Sequence, residues 1–249
     1  MEKPIAVIIL AAGKGKRLGG YHQKTLHKIA GRSLLAHLLN TISGLKPSRI
    51  VVVVGHQKEQ VIEQLKNEPV IFVEQKQLLG TGHAVMQAES ALRDFCGIVL
   101  VLCGDVPFLT LETLKQLETK HRANNAASTI LTAIVDSPAG YGRIKRDKNG
   151  NVVGIVEELN ATAEEKGICE INTGVYMFDR SALFQTLPLV KPDSVKNEYY
   201  LTDVISIMCS KKLVISTYTT PTPDEALGIN TPEDLMRALQ YAKKAVFNE

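Results

Sequence analysis

The sequence predicts an α/β fold in which helices flank a doubly wound sheet, and three observations carry that expectation. Ile5 to Leu10 is a short, unbroken apolar run rich in β-branched residues, as a central strand buried on both faces requires. Amphipathic helical stretches and apolar strands then alternate as far as Val73, a β-α-β-α-β order. From Ser128 the texture changes to closely spaced strands and turns.

Each element has its own signal. After Leu10 the side chains shrink: Ala11, Ala12, Gly13 and Gly15 let backbone N–H groups approach a ligand, while Lys14, Lys16, Arg17 and Lys24 bring positive charge. Read alone, the loop suits a triphosphate and equally an ordinary basic turn, since it matches neither the dinucleotide fingerprint nor the Walker A spacing. Ser33 can cap a helix whose apolar face is Leu34, Leu35, Leu38, Leu39 and Ile42, with Gly44 and then Pro47 ending it. Strands at Ile50 to Val54 and Val70 to Val73 bracket a polar helix carrying Val61, Ile62 and Leu65. Gly80-Thr81-Gly82-His83-Ala84 enters another helix, with Val85, Ala88 and Leu92 on one side, and is a second candidate ligand loop. The buried strand Ile98 to Leu102 runs into Cys103-Gly104-Asp105-Val106-Pro107. Ligands of open α/β sheets bind beyond the carboxyl ends of the strands, so Asp105 stands where a metal ligand would; it could also cap a turn. A packing helix runs from Thr110 to about Arg122.

In the second half, Thr129 to Val135 is a strand, and Gly140-Tyr141-Gly142-Arg143-Ile144 leads into another. Lys148-Asn149-Gly150-Asn151 is a hairpin turn into Val152 to Glu157. Ile171 to Phe178 is a further strand, followed by a helix from Arg180 to Thr186. Glu198 to Asp203 opens a helix with Val204, Ile205 and Met208 on its apolar side, and Val214 to Thr217 is the last strand. Immediately after Gly228-Ile229-Asn230 comes a closing helix, with Thr231 at the N-cap, Pro232 first and Asp234 completing a capping box. Its apolar side carries Leu235, Leu239, Ala242 and Val246.

Composition narrows the function classes. With 249 residues, 45% hydrophobic and 22% charged, the chain can bury a sizeable core as one large or two small α/β units, and no linker or repeat divides it. A net charge of +3 with scattered basic residues does not indicate nucleic acid. No apolar span approaches membrane length and no signal peptide is convincing, so a cytoplasmic protein is expected. Cys96, Cys103, Cys169 and Cys209 lack Cys-x-x-Cys spacing and read as reduced, mostly buried thiols. No serine-nucleophile elbow or zinc helix is present. Of the six histidines, His22, His27, His37, His56 and His121 read as surface or packing residues, whereas His83 is either a ligand neighbour or structural. What remains is a basic glycine loop, Asp105 after a strand and Asn230 before a capped helix. Phosphoryl or nucleotidyl transfer needs little more, being chiefly positioning and charge neutralisation, and Asp105 with Asn230 could supply oxygen ligands to Mg2+.

Several motifs in order resemble the sugar-nucleotide pyrophosphorylases, and among them the uridyltransferase domain of the bacterial bifunctional N-acetylglucosamine-1-phosphate uridyltransferases. They are Leu10 to Leu18 with Lys24, Leu79 to Ala84, Gly104 to Pro107, Gly140 to Ile144, Ile155 to Glu158, Glu170 to Gly174, Glu198 to Asp203 and Gly228 to Asn230. The resemblance implies a Rossmann-like, mixed but mostly parallel sheet with a small β-rich sugar-binding portion. It implies one nucleotidyltransferase domain over 1–249, its nucleotide-binding half about 1–127 and its sugar-binding half with the closing helix about 128–249. It implies that Asp105 and Asn230 hold Mg2+ and that Arg17 and Lys24 neutralise the triphosphate and departing pyrophosphate. Gln75, with backbone of Leu10, Ala11, Ala12 and Gly13 and of Gly80 and Thr81, would read the uracil. Gly142, Glu157 and Asn172 would hold the N-acetylhexosamine. The implied partners are UTP and a sugar 1-phosphate, and the implied state is a monomer or small homo-oligomer serving cell wall precursor biosynthesis. Departures from the family pattern are His22-Gln23 in place of Leu-Pro, Leu78 in place of glutamine and Cys103 in place of tyrosine. Since the chain stops at Glu249, before any acetyltransferase repeats, uridylyl transfer without acetyl transfer is expected. Another sugar 1-phosphate, another triphosphate, or a non-catalytic sugar-nucleotide sensor are the alternatives.

Overall fold

In the computed structural model, residues 3–15, 18 and 23–246 are described, with side chains up to 242. Arg17, Lys16 and His22 lie outside the described residues, as does the side chain of Val246. In chain order the elements begin with β1 (Ile5–Ala11), the two-residue strands β2 (Lys28–Ile29) and β3 (Arg32–Ser33), α1 (Leu34–Ser43) and β4 (Arg49–Val54). Next come α2 (Lys58–Gln64), β5 (Ile71–Glu74), α3 (Thr81–Gln87), β6 (Ile98–Cys103) and α4 (Leu111–Ala123). The second half contains β7 (Ser128–Ile134), β8 (Gly142–Arg146), β9 (Val152–Val156), α5 (Ala163–Lys166), β10 (Glu170–Asp179) and α6 (Arg180–Thr186). It closes with α7 (Thr202–Ser210), β11 (Ile215–Thr219) and α8 (Pro232–Val246).

The main sheet runs β11-β7-β10-β6-β1-β4-β5. The β1 strand pairs in parallel with β4 and β6, β4 with β5, and β11 with β7, whereas β10 is antiparallel to β6 and β7. The expected mixed, mostly parallel sheet is therefore present, and β8 and β9 form a hairpin branching from β10. Alternate residues of the central strands enter opposite cores. Ile8, Val51, Val53, Val99 and Val101 face one layer, with Leu183 of α6 and Val204, Ile205 and Met208 of α7. Val7, Ile9, Val52, Leu100 and Leu102 face the other, with Leu35 and Leu38 of α1 and Leu114 and Leu117 of α4. Burial on both faces explains why these strands read as continuous apolar runs, and each sealed Ile, Leu or Val contributes about 1.5–3 kcal/mol.

The capping expectations hold: Ser33 Oγ accepts from Ala36 N at 3.1 Å, and Thr231 Oγ1 accepts from Asp234 N while Asp234 accepts from Thr231 N. Three expectations are corrected. Glu198 to Leu201 is not helical; its backbone pairs instead with the Gly80 loop, Tyr199 N donating to Leu79 O and Gly82 N to Tyr199 O, both at 2.7 Å. The helix after Gly80 stops at Gln87, and Leu92 belongs to a separate 3-10 turn, Ser90–Leu92, although Val85, Ala88 and Leu92 are all buried as expected. The cysteines are free but not mostly buried, for Cys96 and Cys169 are exposed and Cys103 and Cys209 half-buried. No helix among the described residues is long and apolar enough to cross a membrane.

Candidate active site

Because β1 and β6 are parallel neighbours with Leu10 opposite Cys103, the loops leaving them emerge side by side at the carboxyl edge of the sheet. A cleft of about 560 Å³ opens there. Its lining includes Leu10, Ala11, Ala12, Gly13 and Lys14 from the first loop, Gln23, Lys24 and Thr25 from the 3-10 turn that follows, and Gln75, Gly80 and Thr81 from the loops after β5. Cys103 and Asp105 line it from the β6 side. The residues that the family resemblance assigns to the base thus meet in one hollow together with Lys24, while Arg17 lies outside the described residues.

Gly80 shows how the second loop is built. It has φ +94°, and a side chain there would begin 2.6 Å from Tyr199 O, so only glycine lets the Glu198–Leu201 segment pack against the entrance to α3. Leu201 N donates to Thr81 Oγ1 at 3.0 Å, fastening the same two segments again. Gln75 is 4% exposed and donates from Nε2 to Gly80 O and to His83 Nδ1, both at 3.0 Å. His83 does not line the cleft; its ring also lies near Gln87 and Tyr199, which resolves it as a neighbour of the site and not a wall of it.

The expected metal ligands converge on a cation. Lys24 Nζ donates to the Asp105 carboxylate and, at 2.7 Å, to Asn230 Oδ1. Ile229 N donates to Asp105 O at 3.0 Å, tying the two loops together, and both side chains of the Lys24 and Asp105 pair are largely buried. Gly228 completes the surroundings: a side chain there would begin 3.3 Å from Asp105 Oδ2. Two hard oxygen donors and room kept by a glycine fit a divalent cation.

The sugar-side residues share one patch of sheet. Gly142 of β8 pairs with Asn172 of β10, and Arg143 pairs with Val156, just before Glu157. Glu157 accepts from Thr202 Oγ1 at 2.7 Å and lines a second hollow, of about 370 Å³, together with Tyr200 and Asp203. Tyr200 lines both hollows, so they adjoin. Gly142 and Asn172 line neither; Asn172 Oδ1 accepts from Gly174 N at 3.2 Å, within a bulge of β10. Burial, and then the Glu157 charge, push the Asp203 carboxyl up. Burial, with Asp105 nearby, pushes the Cys103 thiol up to about 12, which leaves it a neutral lining group.

Gln23, Thr25, Glu198 and Tyr200 also line the cleft. Sequence reading gave them no role, although Gln23 stood out as a departure and Glu198 and Tyr200 lay in a quoted motif.

The MobA-like NTP transferase domain model matches residues 7–145, more than half of the chain. The chain belongs to that family. Among curated relatives, Bifunctional protein GlmU of Geobacillus sp. is 43% identical over 239 residues, spanning 96% of this chain and 52% of that protein. Its counterpart in Bacillus mycoides is 46% identical over 231 residues, spanning 93% and 50% respectively. The chain therefore spans about half the length of the curated relatives it matches. A crystal structure of UDP-glucose pyrophosphorylase complexed with UDP-glucose superposes with a TM-score of 0.78 over 98% of this chain and 100% of that one, at 19% identity. That likeness establishes the nucleotide-diphospho-sugar transferase fold.

Proposed function

We propose that this chain transfers a uridylyl group from UTP to N-acetylglucosamine 1-phosphate, giving UDP-N-acetylglucosamine and pyrophosphate. The observation that carries the reading is the single cleft at the carboxyl edge, where the glycine loop, Lys24, Gln75 and Asp105 meet. Kinship to the GlmU proteins supports the choice of substrates. In this reading the phosphate oxygen of the sugar attacks the α-phosphorus of UTP in line and pyrophosphate leaves. The attacking group is already an anion, so no general base is required. Charge repulsion is the main barrier, and Arg17 and Lys24 offset it on the triphosphate. Asp105 and Asn230 would hold Mg2+, which neutralises phosphate charge when bound. Gln75 orients the base, and Glu157, Gly142 and Asn172 orient the hexosamine. The reaction would be a cytoplasmic one feeding cell wall precursor synthesis.

Gln23, Leu78 and Cys103 all line the cleft, so each departure from the family pattern brings a residue into the site, which favours a second reading with a different sugar 1-phosphate or triphosphate. A panel of triphosphates and sugar 1-phosphates, each with Mg2+, decides by pyrophosphate release. Release with UTP and N-acetylglucosamine 1-phosphate is expected. Release only from another pair corrects the substrate, and none from any pair leaves a non-catalytic sensor. Asp105→Ala should abolish release while the circular dichroism spectrum is retained.

A further inference from the structure

Thr202 opens α7 and is 4% exposed, so its hydroxyl needs a partner inside the protein. It donates to Glu157 Oε1 at 2.7 Å, and since a carboxylate only accepts, the direction of that bond is fixed. Glu157 Oε2 has no hydrogen-bond partner among the described residues and is not sealed from solvent, and Glu157 lines the second hollow. One carboxylate oxygen is thus held from behind and the other is left for a ligand. The contact is not what keeps α7 on β9. Cys209 Sγ donates to Val152 O at 3.3 Å, a side chain at Gly154 would begin 2.6 Å from Ser206 Oγ, and Val204, Ile205 and Met208 are wholly buried. Helix and strand therefore meet closely without the hydroxyl. Just before Thr202 the chain is fastened to the nucleotide side, where Gly82 N donates to Tyr199 O and Leu201 N to Thr81 Oγ1.

We propose that Thr202 is a positioning residue for the acceptor sugar, its hydroxyl orienting the Glu157 carboxylate so that Oε2 accepts from a sugar hydroxyl. The inference rests on the reading above that gives Glu157 to the hexosamine, and deepens it. A free glutamate side chain samples many rotamers, and ordering it on binding subtracts from affinity. Holding one oxygen in advance removes that cost before the sugar arrives. Without the hydroxyl, the carboxylate can turn out to solvent and the sugar must order it. The base side is fastened through the backbone of Tyr199 and Leu201, which a change of the Thr202 side chain leaves in place. The effect therefore falls on the acceptor and not on UTP.

The test measures KM for N-acetylglucosamine 1-phosphate and for UTP, with Mg2+, in the wild type, Thr202→Val, Thr202→Ser, Glu157→Ala and the double variant of Thr202→Val with Glu157→Ala. Valine keeps the shape and removes the donor, whereas serine keeps the donor. In Thr202→Val, KM for the sugar phosphate should rise by about tenfold, the effect of one hydrogen bond to a charged group, with KM for UTP unchanged. Thr202→Ser should stay near the wild type. Because Thr202 acts through Glu157, adding Thr202→Val to Glu157→Ala should raise KM little further. A wild-type KM in Thr202→Val, an equal rise in Thr202→Ser, or additive effects in the double variant would overturn the positioning role and leave the uridylyl transfer reading standing. Should Thr202→Val fold poorly, Thr202→Ser against Thr202→Ala decides, because that pair differs by the hydroxyl alone; equal KM values in the two would overturn the role. An unchanged KM for the sugar phosphate in Glu157→Ala would take Glu157 out of the sugar site and this inference with it.

Discussion

Lys24 Nζ lies 2.7 Å from the Asn230 carboxamide oxygen and also donates to the Asp105 carboxylate. Those oxygens are the pair proposed to take a metal, so the ammonium and a divalent cation compete for one seat. Lys24→Met should therefore bind Mn2+ several-fold more tightly in the absence of nucleotide, read from the free-ion signal in electron paramagnetic resonance. Turnover of the same variant should drop by about 10²-fold, because a cation facing the triphosphate is lost. Weaker Mn2+ binding would show that Lys24 supports the metal instead of opposing it.

A buried amide holds the first glycine loop. Gln23 is 1% exposed; it donates to Ala11 O at 2.6 Å and accepts from Thr25 N at 2.7 Å. Gln23→Leu leaves that carbonyl and that N–H without their partner, which should cost about 1–3 kcal/mol of stability. Because the same contacts fix the backbone aimed at the ligand, KM for UTP should rise by about tenfold. An unchanged melting temperature and KM would mean that water replaces the amide at no cost.

Much of this was legible in sequence. Strands sealed on both faces announce themselves as apolar runs, and Ser33 and Thr231 announce their helices by cap chemistry. Orientation was less legible, since nothing in the periodicity of β10 says that it runs against β6. Glu198 to Leu201 misled because its backbone donors and acceptors go to Leu79 and Gly82, a tertiary claim that local propensity does not encode. The short helix α5 was missed although Thr162 and Glu165 form a capping box readable as Thr-x-x-Glu. In the candidate site, most of the residues that line the cleft were marked by motif. That Gln23, in the sequence only a departure from the family pattern, holds Ala11 and Thr25 from behind the loop emerges only when the hydrogen bonds are traced.

Glu225 acts from behind as well. It is 2% exposed and accepts from Thr110 N at 3.2 Å, Thr113 Oγ1 at 2.6 Å and Thr220 Oγ1. Its charge lies at the N-terminus of α4, where the helix dipole favours it, and it binds the turn Pro223–Ala226 to the loop that follows Asp105. Glu225→Ala should lose about 2–4 kcal/mol in urea unfolding. The Mg2+ concentration for half-maximal activity should rise too, as the Asp105 and Asn230 loops lose a shared anchor. A loss below about 0.5 kcal/mol, typical of surface changes, would contradict the anchoring role.

His121 fixes a pH dependence of folding. Its ring is 3% exposed between α4 and β7, with Nδ1 2.9 Å from Thr129 Oγ1, and burial pushes its pKa down to about 4. The unfolded chain, with a histidine pKa of about 6.5, takes up this proton first as pH falls. Between those values it binds more protons than the folded chain, so the contribution is whole above about pH 6.5 and is lost as pH falls towards 4. The loss amounts to about 2 kcal/mol by pH 5. Carboxylates such as Asp94 and Glu158, held below their ordinary values by hydrogen bonds from Arg49 and Arg143, act only at lower pH. Comparing wild type with His121→Asn in urea isolates the histidine, since the carboxylates are common to both. The stability difference between them should shift by about 2 kcal/mol in favour of the variant from pH 7 to pH 5. A difference that stays constant across that window would mean that the ring is protonated in the fold, with the proton satisfied at no cost in the layer between α4 and β7.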